Sequence, residues 1–142
     1  MKFNDINQEQ WWDLKRYFDT CVIPITGLSG KEEPWQVKLA LEKMRDALAF
    51  VEIPYHGRMV TYPALHYTLD DSAIHLANHI STQLKSIGFT YVILLTTSDV
   101  VAHWSPISAD VLLYIDTTDS EITVQERRRQ IASQIETVWK KS

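Results

Sequence analysis

The chain has 142 residues, 45% of them apolar and 23% charged. That is long enough to bury roughly 70% of the surface exposed by the unfolded chain, and it fits neither a disordered nor a fibrous class. A net charge of -4 argues against broad nucleic-acid binding, which draws its affinity from clustered Lys and Arg on phosphates.

From Asn7 to about Phe18, Trp11, Leu14 and Phe18 recur at helical spacing, with Asp5 or Asn7 available as N-cap. "CVIPIT" follows as a short strand, and because Pro24 has no N–H to donate, the strand is expected at a sheet edge or to stop early. Pro34 opens the next helix, whose apolar stripe runs through Val37, Ala40, Leu41, Met44, Leu48 and Val51. "GRMVTYPALHYT" alternates well enough for a second strand, interrupted by Pro63.

A third helix, Asp71 to about Ile87, is predicted to bury Ala73, Leu76, Ala77, Ile80, Leu84 and Ile87, with Gly88 stopping it. "FTYVILLTTS" and "ADVLLYIDTT" are near-continuous apolar runs, as expected of strands covered on both faces at the centre of a sheet. "DVVAHWSPIS" between them is too short for a crossover helix, so the two strands are expected to be antiparallel neighbours. "TVQE" at 123–126 is a capping box opening a last helix with Val124, Ile131, Ile135 and Val138 inward. The fold class is α/β: a mixed sheet of about four strands with flanking helices, order α-β-α-β-α-β-β-α, in a single domain over residues 1–142.

"PITGLSGKEEPW", residues 24–35, has the strand, glycines, lysine and helix of a phosphate loop. Yet Gly27 and Gly30 are separated by two residues where a Walker A loop has four, and Lys31 is followed by Glu32 and Glu33 rather than Ser or Thr. Those carboxylates complement the helix macrodipole and repel an incoming anion. A glycine turn into an acidic helix start explains the stretch, and no nucleotide or other cofactor is expected.

"HYTLDDSAIHLANH" places Asp71, His75 and His79 at i, i+4 and i+8 on one helical face, a spacing that can share zinc. Leu76 stands where a zincin has its glutamate, and a solvated face explains the residues, so no metal is expected there. Ser98-Asp99 and Asp116-Thr117 end the two apolar strands, but at opposite edges if those strands are antiparallel. The lone cysteine, Cys21, excludes an internal disulfide and suits a reducing compartment; in "CVIPI" beside Asp19 it reads as a buried hydrophobe. Arg127–Arg129 read as a solvated face, with an anionic partner surface as the sharper alternative. Five tryptophans are many for this length, and Trp12 and Trp104 are the two least easily placed in a core, which makes them interface candidates.

"YFDTCVIPI" (17–25) and "GRMVTYPALHY" (57–67), with the length and element order, resemble the YpiF-like family of small uncharacterised proteins from Bacillus-type bacteria. The resemblance implies a cytoplasmic bacterial protein and brings no catalytic residue. The element order is also similar to small α/β domains of TolB-like and curli-secretion proteins, which bind other proteins.

The chain has no apolar run longer than five residues, and "MKFNDINQEQ" lacks the core of a signal peptide; a cytoplasmic protein without membrane association is expected. The expected function is non-catalytic association with a protein partner or a second copy of the chain. The alternative is a small-molecule or metal-dependent enzyme with a site near the His-rich helix 71–87 or a strand end.

Overall fold

The computed structural model describes residues 1–67 and 70–140, Tyr67 through its backbone alone. The chain forms α1 (Gln8–Leu14), β1 (Thr20–Leu28), α2 (Pro34–Glu52), β2 (Met59–Thr61), β3 (Leu65–Tyr67), α3 (Asp71–Ser86), β4 (Tyr91–Thr96), β5 (Val111–Tyr114) and α4 (Val124–Trp139). Short 3-10 turns lie at Phe3–Asp5 and Val101–His103. The α/β architecture with helices flanking one sheet is as expected, and the strand order is β2-β1-β4-β5, with β3 beside β1 on the same side as β2.

All pairings among the described strands are parallel. β4 and β5 are neighbours, as expected, but parallel rather than antiparallel. The crossover between them needs no helix, because the 3-10 turn at 101–103 packs Val101 fully into the core. Asp110 then ties the start of β5 back, accepting from Val92 N at 2.9 Å and from Lys85 Nζ at 3.1 Å. β4 is central, but β5 is an edge strand.

β1 is also not an edge. It runs for nine residues between β4 and the β2/β3 side, with Pro24 buried in its middle. Backbone polar groups of successive strand residues point to alternate sides: Asp19 O accepts from Tyr91 N, toward β4, and Val22 O from Tyr62 N, toward β2. Pro24 therefore lacks an N–H on the β2/β3 side, in the gap where β2 has ended at Thr61 and β3 has not begun at Leu65. The expected second strand is split around Pro63 at the same place.

Side chains of the sheet alternate between two cores. Val22, Ile93, Leu95, Leu113 and Ile115 pack on α2 and α4. Cys21, Ile23, Ile25, Val92 and Leu94 pack on α3, with Trp11 and Leu14 of α1 against them. α1 ends at Leu14, short of the expected Phe18, and is opened by a capping box between Asn7 and Gln10. In α2 the core stripe is Met44, Ala47, Leu48 and Val51, and Leu41 is exposed. Leu76 of α3 and Ile87 just past its end are exposed, and Ser81 enters the core by donating its hydroxyl to Ala77 O at 2.7 Å. Thr123 caps α4 by accepting from Glu126 N, and Val124 lies outside the core.

Candidate functional site

Because β1, β4 and β5 are parallel, their carboxyl ends reach one edge of the sheet. Ser98-Asp99 and Asp116-Thr117 therefore follow strands that end at the same edge, which corrects the expectation that they diverge. From β1 the chain crosses by α2 on one face to β2, and then by α3 on the other face to β4. The β1/β4 boundary is thus the point where the strand order reverses, the place where open α/β sheets form crevices.

Gly27 makes that boundary tight. Its φ is +82°, and an added Cβ would lie 2.6 Å from Ser98 Cβ. Thr96 reinforces the junction, donating its hydroxyl to Ile25 O at 2.7 Å and accepting from Ser98 N at 3.0 Å. Outside it opens a crevice of about 300 Å³ lined by Thr26, Leu28, Glu32, Trp35, Lys43 and Ser98, among others. Thr26 Oγ1 lies 2.9 Å from His66 Nδ1 and ties the end of β1 to β3.

The glycine loop holds an anion of its own. Glu32 Oε1 accepts from Ser29 N at 2.8 Å and Ser29 Oγ at 2.9 Å, and Oε2 accepts from Gly30 N at 3.0 Å. These hydrogen bonds, led by the Ser29 amide, lower the Glu32 pKa from 4.5 to about 2. The amides that a nucleotide phosphate would use already hold a carboxylate.

At the β5 end, Asp116 accepts from the Thr118 hydroxyl at 2.6 Å and the Thr118 amide at 2.9 Å. The Thr118 bonds lower its pKa, helped by the charges of Arg127 and Lys43. The Tyr114 phenol is shifted upward by desolvation, then by Asp116 and Asp99.

A wider concavity of about 450 Å³ lies between α2 and α4, lined mainly by Phe50, Ile53, Pro54, Val124, Arg128 and Ala132. Ile53 is 72% exposed and Val124 52%. Arg127 donates to Asp119 O at 3.0 Å and its guanidinium stands 5.9 Å from the Phe50 ring centre. Arg128 and Arg129 are exposed and have no ion pair among the described residues.

Asp71, His75 and His79 lie along the exposed face of α3. Among the described residues no three His, Cys, Asp or Glu side chains are grouped to hold a metal ion. Cys21 is fully buried, and burial pushes its thiol up to about 12, so it is packed as a hydrophobe. Trp12 is 65% exposed, with Lys15 Nζ 5.7 Å from its ring centre. Trp104 is half-buried against the α3-side core. Sequence reasoning missed Trp35, which is 65% exposed at the crevice. The available signal was its register: Trp35 and Leu39 fall outside the Met44, Leu48 and Val51 stripe.

The chain belongs to the DUF2487 family of proteins of unknown function, which matches residues 9–140. Neither a curated protein nor a solved structure matches it. Among the described residues no helix is long and apolar enough to cross a membrane.

Proposed function

Starting from a family without an assigned activity, we propose that the chain is a single-domain, non-catalytic module over residues 1–142 that works by protein association. The carrying observation is the apolar groove between α2 and α4, where Ile53 and Val124 stand exposed. Apolar surface of this kind on a soluble domain marks docking. A furrow between two helices fits an amphipathic helix laid into it, and Arg128 on its wall, without an ion pair among the described residues, selects one with an acidic flank. Trp12 is a second proposed contact, because an exposed indole is a common anchor; Trp104, half-buried, offers less surface. Placement among the YpiF-like proteins of Bacillus-type bacteria, in the cytoplasm, belongs to the same proposal. It is supported by residues 17–25 and 57–67 and by the buried free thiol of Cys21.

The test is site-specific photo-crosslinking from position 53 in extract of the native organism, with position 100, equally exposed at 68%, as control. A partner captured at 53 and not at 100 is expected. A synthetic acidic helix from that partner should bind the wild-type chain and lose affinity in Ile53→Asp and Arg128→Glu. Equal capture at both positions, or binding unchanged in both variants, refutes the groove.

The parallel pairing of β4 and β5 favours a second reading, a ligand site at the carboxyl edge, because it brings together strand ends that an antiparallel pair would separate.

A further inference from the structure

The carboxyl-edge crevice is independent of the α2–α4 groove, and its chemistry has a sign. In a phosphate loop, backbone amides present partial positive charge to an anion. Here the same kind of loop is closed around Glu32, whose carboxylate is fixed by two amides and a hydroxyl, all neutral donors. The loop keeps the full negative charge of that carboxylate, and neighbouring Lys31 and Glu33 offset each other. One helical turn on, Trp35 puts a 65% exposed indole on the same crevice.

A rigid carboxylate beside an open indole is the pairing that receives organic cations, by charge and by the ring quadrupole. Leu28, Leu39 and Ala40 supply an apolar wall for a stem. Lys43 also lines the crevice, but it stands eight residues along α2 from Trp35, about 12 Å at 1.5 Å per residue. Its charge also acts on Asp116, where it adds to the Thr118 bonds and Arg127 in lowering the carboxyl pKa. The net charge of -4 adds a long-range attraction for cations.

We infer that the crevice between the β1 and β4 ends binds an organic cation, an amine, amidinium or guanidinium on an apolar stem, with Glu32 as counter-ion and Trp35 as its aromatic wall. An anion such as a nucleotide is rejected at the same loop.

The experiment is a titration of the full chain with benzamidine, followed by the NMR indole signal of Trp35, with benzoate as the oppositely charged twin. Saturable binding of benzamidine at millimolar concentration and none of benzoate is expected. Glu32→Gln keeps the hydrogen-bond acceptor and removes the charge, and Trp35→Ala removes the ring. Each should weaken binding about fivefold or more; the Trp35→Ala titration is read by calorimetry. Should Glu32→Gln disturb the loop, seen as a lowered melting temperature, Leu39→Lys at an exposed position places a repelling charge in the crevice and should abolish binding. No saturable response to benzamidine, equal binding of benzoate, or wild-type affinity in any correctly folded variant overturns the assignment.

Discussion

Gly27→Ala tests whether the β1/β4 junction is built as described. At φ +82° an L-residue with a side chain costs about 1–2 kcal/mol. The new methyl also meets Ser98 Cβ at 2.6 Å and Oγ at 2.7 Å; the hydroxyl can turn away, but the Cβ moves only with the backbone. Moving Ser98 disturbs its amide bond to Thr96 Oγ1, so the overlap adds about 1–3 kcal/mol, the usual cost of overpacking. The total is about 2–5 kcal/mol, or roughly 10 °C in Tm at this chain length. Chemical denaturation of Gly27→Ala, Ser98→Gly and the double variant separates the two parts. Ser98→Gly removes the obstructing atoms, so Gly27→Ala should cost about 1–2 kcal/mol in that background, a coupling of at least about 1 kcal/mol. A cost identical in both backgrounds, or one under about 0.5 kcal/mol in the wild type, refutes the close approach.

Trp12→Ala should change stability by no more than about 0.5 kcal/mol, whereas Trp104→Ala, against the core, should cost about 2 kcal/mol; thermal melts of the two decide it. Glu32 has a depressed folded pKa, so its contribution is fully present above its ordinary value of 4.5 and is lost as pH falls toward about 2. A pH series of melts across that window should therefore be flatter for Glu32→Gln than for the wild type, and parallel curves count against the loop bonds. A chelator should leave the Tm unchanged and elemental analysis should find no stoichiometric zinc; a drop in Tm abolished by His75→Ala would show that Asp71, His75 and His79 share a metal.

Element types were legible because periodicity reports them locally. Met44, Leu48 and Val51 mark α2 at a 3.6 period, and Thr123 signals the start of α4 four residues before its arginines. Sheet order was less legible, because it is a tertiary property. Pro24 argued for an edge by a sound rule, but the rule concerns one missing N–H, and whether that N–H faces a partner depends on where β2 ends. The run 97–110 is short for a helical crossover, yet a single 3-10 turn burying Val101 closes it. An antiparallel β4–β5 pair has no shared carboxyl edge, whereas the parallel pairing gives one, and Trp35 stands at its crevice. Sequence places Glu32 and Glu33 at the start of α2 facing its macrodipole, whereas Glu32 returns onto Ser29 and Gly30, along a loop path that spacing does not encode.

The pairing of β1 with β4 also bears on how the chain reaches its native state. Thr20 pairs with Tyr91 and Ile25 with Thr96, each 71 positions apart, with α2, β2, β3 and α3 between. Such a pairing has to close a long loop before it yields anything, which slows folding. On a ribosome, β1 emerges and waits, its most apolar stretch unpaired on that side, until residue 96 has left the tunnel. A bare run of Cys21, Val22, Ile23 and Ile25 is the kind of segment that stacks with copies of itself. Pro24 interrupts it, and a proline breaks such stacks while the native sheet, with its gap between β2 and β3, has a place for it. Pro24 thus joins a tolerated place in the native sheet to the residue type least suited to such stacking.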